Sequence, residues 1–107
     1  LYLNGIHNKE VILPYVIPEA EPVWHIFAVR CKRREELEKY LNEKGIGTNK
    51  HYPIPMHMQK CYADLGIQQG ELPIAEEISA TELSLPMYYG ITDEQVQYVI
   101  DTINNFR

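Results

Sequence analysis

GIGTNKHYPIPMHMQ, residues 45–59, brings two histidines, a tyrosine and two prolines into one short stretch. Pro53 and Pro55 fix their own φ angles, and each biases the residue before it toward extended geometry. The stretch around these prolines is therefore predicted to be extended and stiff rather than helical. His51 and Tyr52 are then held on a rigid support, and the rest of the chain is expected to be built around them.

Rigid support matters because a side chain recognises a ligand well when its orientation is fixed before binding. His51 and Tyr52 together offer two polar tips for hydrogen bonds and two flat apolar faces. That combination suits a sugar or another hydroxylated ring. The alternative is that Tyr52 is a half-buried residue at the edge of the core, and that His51 and His57 are hydrogen-bonded structural groups. Spacing alone favours this structural interpretation.

Length and charge limit the class of protein. The chain has 107 residues, which is enough for one domain with a single core. Its formal net charge is -5, with the acidic residues spread among Lys and Arg, so neither nucleic acid nor a membrane surface is an expected partner. No apolar run approaches the ~20 residues of a membrane helix, and no signal segment is recognised. We therefore expect a soluble protein.

Two cysteines bear on the compartment. Cys31 and Cys61 have neither CxxC nor metal-type spacing, and one of them lies in an apolar run. Free, buried thiols in a reducing compartment fit this pattern best. The sequence therefore predicts a cytoplasmic protein.

The beginning of the chain differs in composition from the rest. Residues 1–5 have the pattern of a last helical turn that Gly5 ends, so the chain is expected to be a fragment of a longer protein. Three prolines follow between residues 6 and 23, which predicts an extended connector or sheet edge outside the core. The expected division is a linker with the end of an interdomain helix at 1–22 and one domain at 23–107.

A β-α-β unit is predicted next. Residues 24–31 have apolar side chains in both alternating sets, the pattern of a central strand that is covered on both faces. Residues 33–44 carry an apolar stripe at i, i+3 and i+4 from Leu37, which predicts an amphipathic helix, and Gly45 is its C-terminal stop. The second strand of the unit is then predicted over residues 46–51.

The remaining elements follow from local signals. A helical turn is predicted over residues 59–65, a helix from Pro73, and a short third strand over residues 83–85. The last helix begins at Thr92, because Gln95 three residues later completes a capping box. These elements predict an α/β (α+β) fold, a small two-layer sandwich with helices packed mainly on one face of a short sheet.

No residue of the chain is predicted to be catalytic or to bind metal. GxGxxG, GxxxxGK[ST], GxSxG and HExxH motifs are all absent. The prolines between His51 and His57 prevent helical stacking of the two rings, and no third metal ligand lies near them. Glu76 and Glu77 are expected to be solvated surface residues. His25 falls within the predicted first strand, where a hydrogen-bonded structural role is favoured over a functional one.

Five blocks of sequence, in order, carry a family resemblance. They are WHIFAVR at 24–30, GIGT at 45–48, HYPIPMHMQ at 51–59, LPIAEEIS at 72–79 and LSLPMY at 83–88. Together they resemble the C-terminal part of the DegT/DnrJ/StrS family of sugar aminotransferases, which are fold-type-I enzymes that use pyridoxal 5'-phosphate (PLP). The HYPIPxHxQ pattern is most similar to that of members which aminate nucleotide-linked 3- or 4-keto-6-deoxy sugars.

The resemblance implies a division of labour between two domains. The lysine that carries PLP and most other cofactor ligands belong to a larger preceding domain, so this chain alone is expected to be inactive and to bind no cofactor. The whole enzyme, expected to be a homodimer, would transfer an amino group from an amino acid, commonly glutamate, to the keto sugar. Matched to the family motif, His51 and Tyr52 are candidates to line the sugar pocket, and His57 is a candidate for its edge.

A second class of function is compatible with the same composition. A free-standing α/β module that binds a ligand or regulates another protein would also be acidic and would also lack catalytic motifs. The reading frame of the gene distinguishes the aminotransferase from the free-standing module. A lysine-bearing PLP domain encoded upstream supports the aminotransferase, and a start codon near Leu1 supports the module.

Overall fold

The computed structural model describes all 107 residues, as a three-stranded sheet with four α-helices. The strands are antiparallel, in the order β1-β2-β3, and span Val11–Ile12 (β1), Phe27–Cys31 (β2) and Glu82–Leu85 (β3). The helices span Tyr2–Gly5 (α1), Arg34–Glu43 (α2), Pro73–Thr81 (α3) and Asp93–Asn104 (α4), and two 3₁₀ turns span Met56–Met58 and Lys60–Leu65. The predicted class, a short sheet packed with helices, is confirmed.

One face of the sheet is apolar. Side chains alternate along a strand, and the register sets Phe27 opposite Leu85 and Val29 opposite Leu83. All four are buried. This face packs against the helices, in a core of 16 residues whose helical members are Tyr2, Leu37, Leu41, Val96, Val99, Ile100 and Ile103.

The other face of the sheet is polar. Here Ala28 lies opposite Ser84, and Arg30 lies opposite Glu82. Glu82 and Ser84 are buried, whereas Ala28 and Arg30 are only half-buried. The prediction of a central strand is confirmed, but the prediction that apolar packing covers both of its faces is wrong. The strand also begins at Phe27 rather than at residue 24.

The end of α2 is a tight cap. Gly45 has φ +79°, a conformation that glycine adopts without steric cost. Its N–H donates to the Asn42 carbonyl at 3.0 Å, and the N–H of Ile46 donates to the Leu41 carbonyl at 2.9 Å, the two bonds of a Schellman motif. The cap turns the chain sharply, so that the segment carrying the two histidines begins immediately after α2.

The last helix starts as predicted. The Thr92 hydroxyl accepts from the Gln95 N–H at 3.1 Å, and the Gln95 side chain accepts from the Thr92 N–H at 3.0 Å. Both bonds satisfy donors that a helix start leaves unpaired. The predicted helix from Pro73 and the third strand are also confirmed.

The predicted second strand of the β-α-β unit is wrong. Between residues 46 and 51 only Asn49 pairs with a strand, through an isolated antiparallel bridge to Ser84. The next ladder donor, the His51 N–H, is bound by the Glu82 side chain instead. Because a side chain takes this donor and Pro53 has none to offer, the segment leaves the sheet after one bridge.

The opening residues are more than a connector. Residues 11–12 form β1 beside the central strand, and Ile6 and Val11 are buried in the core. The Asn8 side chain donates to the carbonyls of Ile103 and Phe106 at 2.7 and 2.9 Å. The sheet-edge alternative is confirmed for residues 11–12, because β1 is an edge strand, but the prediction that this region lies outside the core is wrong for Ile6 and Val11. Three prolines obscured a strand of only two residues.

The predicted helical turn does end at Gly5, but the glycine is needed for packing and not for a left-handed cap. It is the last residue of α1 and does not adopt a positive φ angle. A Cβ atom at this position would lie 2.7 Å from Cδ1 and 3.0 Å from Cγ2 of Ile100. Glycine is needed here because α1 approaches α4 too closely for a larger residue.

We expect Gly5→Ala to lower the free energy of unfolding by about 1 kcal/mol, because overpacking outweighs the helix propensity that alanine gains. Urea unfolding measures the change. Ile100→Val removes the closer methyl group, so Gly5→Ala should cost less in that background. An equal cost in both backgrounds, or a gain in stability, would contradict the proposed clash.

The cysteines are both free, but only one is buried. Cys31 lies in β2 within the core, and burial raises the pKa of its thiol. Cys61 is exposed in the second 3₁₀ turn, so the prediction of two buried thiols is wrong for it. The longest helix has 12 residues, and none combines the length and hydropathy needed to cross a bilayer.

Candidate functional site

The three residues singled out from the sequence border the same cleft. His51, Tyr52 and His57 all line an open depression of about 610 Å³ beside α3. Most of the wall is apolar, and Ala75 and Ile78 of α3 are part of it. Since no residue of α3 is buried, the apolar stripe of that helix lines the cleft and not the core. The fold therefore combines aromatic, imidazole and aliphatic groups around one concave surface.

His51 is held by side chains of β3. Its N–H donates to Oε2 of Glu82 at 2.7 Å, and its Nδ1 lies 2.8 Å from Oγ of Ser84. The Ser84 hydroxyl donates in turn to Oε1 of Glu82. Glu82 is 4 % exposed and Ser84 is 5 % exposed, so water competes little for these bonds. His51 is thus oriented by a buried polar group rather than by the end of a strand.

Tyr52 extends into solvent from this anchored neighbour. Its side chain is 69 % exposed, and its hydroxyl makes no hydrogen bond within the chain. The rings of His51 and Tyr52 meet edge to face, with centroids 5.5 Å apart. His51 itself is half-buried. Both side chains are therefore at least partly accessible to a ligand.

His57 lies deeper in the cleft. It is 8 % exposed, and its Nε2 has no hydrogen-bond partner, although Oε1 of Glu76 lies 3.5 Å away. Glu76 also accepts from the N–H of Gly70 at 2.8 Å. The prediction that Glu76 is a solvated surface residue is therefore wrong, because its carboxylate closes the loop before α3 and faces His57. Glu77 is exposed, as expected.

A second, smaller pocket also borders His51. It has a volume of about 270 Å³, and His25, Thr48 and Asn49 are among the residues that line it. The Thr48 hydroxyl is buried there without a partner. His25 precedes β2 and is exposed without a hydrogen bond, so the prediction of a hydrogen-bonded strand histidine is wrong. His51 therefore borders two concavities.

Glu82 and Ser84 are the site residues that the sequence predictions missed. One signal could have found them. In Glu82-Leu83-Ser84-Leu85 the polar and apolar residues alternate, and on a strand alternate residues share a face. Two polar side chains on the face away from the core call for a polar partner, which the fold supplies as His51.

The chain is similar to known proteins over almost its whole length. The model of the DegT/DnrJ/EryC1/StrS aminotransferase family matches residues 2–104, nearly the whole chain. The chain belongs to this family. The resemblance carried by the five sequence blocks is thereby confirmed.

Three family relatives are particularly similar. The chain is 41 % identical over 105 residues to the dTDP-3-amino-3,6-dideoxy-alpha-D-galactopyranose transaminase of Aneurinibacillus thermoaerophilus, covering 98 % of this chain and 28 % of that protein. It is 40 % identical over 106 residues to the dTDP-3-amino-3,4,6-trideoxy-alpha-D-glucose transaminase of Streptomyces venezuelae, with the same coverage. A crystal structure of S. venezuelae DesV with a ketimine intermediate superposes with a TM-score of 0.86 and 39 % identity, over 95 % of this chain and 27 % of DesV. The chain thus spans about a quarter of the length of such relatives.

The lysines of the chain do not fit the covalent attachment of PLP that the family implies. Such a lysine needs a desolvated site that lowers its pKa. Five of the six lysines are exposed. The sixth, Lys50, lies 2.9 Å from carboxylate oxygens of both Glu35 and Glu38, and these hydrogen bonds, that of Glu35 first, raise its pKa. The lysine that attaches PLP covalently would have to lie outside this chain.

Proposed function

We propose that this chain is the C-terminal, small domain of a PLP-dependent aminotransferase that transfers an amino group to a nucleotide-linked keto-deoxy sugar. Family membership and the names of the two transaminases support the reaction class. The donor would be an amino acid, and the whole enzyme a cytoplasmic homodimer. PLP, bound by a preceding domain, supplies the electron sink of amino transfer. Residues 1–22 would lead from the preceding domain into this one, with α1 and β1 already packed in its core.

In the whole enzyme, this chain would bind the sugar and hold it in place. The observation that carries the proposal is the shared cleft of His51, Tyr52 and His57, with a rigid, anchored imidazole beside a free phenol. Imidazole and phenol groups donate and accept hydrogen bonds, as sugar hydroxyls require. The apolar wall along α3 would exclude water from one side of the ligand. His57, deeper and without a partner at Nε2, would form the edge of the sugar pocket.

Two experiments test the reaction. The gene sequence upstream of residue 1 should encode a domain with a PLP-binding lysine, whereas a start codon at residue 1 would support a free-standing module. The protein encoded by the whole reading frame should then aminate a nucleotide-linked keto sugar with an amino-acid donor. Failure with a panel of such sugars, in protein that binds PLP, would contradict the proposed substrate class.

The role of Tyr52 is tested in the whole enzyme. We expect Tyr52→Phe to lower kcat/KM by several-fold, equivalent to about 1 kcal/mol for one lost hydroxyl contact. The absorbance of bound PLP and the melting temperature should not change, since the Tyr52 hydroxyl makes no bond within the chain. Steady-state kinetics and a thermal melt measure these effects.

Tyr98 provides a matched control for the loss of a hydroxyl. Its hydroxyl donates to the Lys44 carbonyl at 2.8 Å, between α4 and the end of α2. Tyr98→Phe should therefore lower stability slightly and leave kcat/KM unchanged. Wild-type turnover in both Tyr52→Phe and His51→Ala, with normal folding, would return these two residues to a structural role.

A further inference from the structure

The hydrogen bonds around His51 assign its protons. Glu82 as a carboxylate can only accept hydrogen bonds. One of its oxygens accepts from the backbone N–H of His51, and the other accepts from the Ser84 hydroxyl. Ser84 has a single hydroxyl proton, which this bond uses. Its oxygen can then only accept from Nδ1 of His51, 2.8 Å away. Nδ1 must therefore carry a proton.

The opposite side of the ring leads to the same assignment. Oδ1 of Asn49 accepts from the Lys50 N–H at 2.8 Å, which fixes the orientation of the amide. The amide nitrogen Nδ2 then lies 3.3 Å from Nε2 of His51. Because Nδ2 can only donate, Nε2 must accept. A proton on Nε2 would set two donors against each other.

We infer that Glu82 and Ser84 are positioning residues, which hold His51 as the neutral Nδ1–H tautomer and keep Nε2 as a hydrogen-bond acceptor. These contacts fix the orientation of the ring, and they make Nδ1 a donor and Nε2 an acceptor. A ligand group that replaces the Asn49 amide at Nε2 must therefore also be a donor, such as a hydroxyl. This last step rests on the proposed function, whereas the tautomer depends only on contacts within the chain.

The tautomer can be measured without any activity assay. The intact chain is labelled with ring-¹⁵N histidine at neutral pH, and long-range ¹H–¹⁵N spectra separate protonated from unprotonated ring nitrogens. The four histidines give four ring patterns, and His51→Gln identifies the one that belongs to His51. We expect a protonated nitrogen at Nδ1 and an unprotonated nitrogen at Nε2. A His51 pattern with the proton on Nε2, or an average of both forms, would overturn the inference.

Two variants test the relay itself. Ser84→Ala removes the acceptor at Nδ1, and His51 should change from one tautomer to a mixture. Glu82→Gln should move the proton to Nε2, because the Gln oxygen accepts from the backbone N–H of His51 and the Gln amide donates to Ser84, whose hydroxyl must turn to Nδ1. The exposed Asn49 amide must then turn its oxygen toward Nε2. A His51 pattern that stays as in the wild type in both variants would overturn the relay.

Folding and turnover are read separately. Dispersed backbone amide spectra verify that each variant is folded. Ser84→Thr keeps a hydroxyl and should therefore keep the wild-type tautomer, which controls for any effect of Ser84→Ala on the fold. In the whole enzyme Ser84→Ala should lower kcat/KM by about fivefold without loss of bound PLP. A tautomer change with unchanged turnover would support the relay and contradict a role for His51 in sugar binding. Reduced turnover with an unchanged tautomer would contradict the relay and leave the proposed sugar site in place.

Discussion

Leu41→Asp should unfold the chain. Leu41 is fully buried between α2 and the sheet, and a carboxylate at this position would have no partner in the apolar core. The loss of apolar burial adds to the penalty for an isolated polar group, for a total of several kcal/mol. Domains of this size are stable by only about 5–15 kcal/mol. Circular dichroism and a thermal melt should show no cooperative transition at the wild-type temperature.

Asn42→Asp is the matched control for this prediction. It introduces the same residue and the same change in charge at the next position of α2, where the side chain is exposed. We expect a change within about 0.5 kcal/mol, as for most surface substitutions. A wild-type melting temperature for Leu41→Asp would mean that α2 presents a different face to the sheet.

The second large effect is that the isolated chain should neither attach PLP at one lysine nor catalyse amino transfer. Incubation with PLP and reduction with borohydride should give no stoichiometric adduct at a single lysine, and no amino transfer should be detected. The physical reason lies in the lysines themselves. Five are exposed, and Lys50 is held as an ammonium by Glu35 and Glu38, whereas Schiff-base chemistry needs the neutral amine.

The whole enzyme is the positive control for this experiment. Under the same conditions it should give one adduct per chain, at a lysine outside residues 1–107, and peptide mapping by mass spectrometry locates it. Lys50→Arg in the isolated chain should leave the low background of adducts unchanged. A single stoichiometric adduct at any of the six lysines would overturn the prediction.

Most helices were predictable because their signals are local. The apolar stripe of α2, the proline at the start of α3 and the capping box of α4 each lie within a few residues. The sheet was harder to predict. β1 has two residues, is followed by prolines, and pairs with residues that lie 18 and 20 positions away. Nothing in a window of that sequence distinguishes such a strand from a connector.

The candidate site was predictable in part for a related reason. The motif around His51 and Tyr52 was visible as a rigid, polar and aromatic stretch, because the two prolines predict extended geometry. Glu76 was misassigned because a pair of adjacent acids on a helix resembles a solvated surface. Its contact with His57 depends on how the loop before α3 folds back, and that loop has no local signal.

Sequence alone determined helices α2, α3 and α4, the caps of α2 and α4, and the family resemblance, since propensity, periodicity and motif order are all properties of neighbouring residues. Only the tertiary structure decided that His51 meets Glu82 and Ser84, which are 31 and 33 residues away along the chain. Strand register selects those partners, because a shift of one residue would turn both polar side chains to the opposite face of the sheet. Chain order does not encode that register, which is set by the packing of Leu83 and Leu85 against the core.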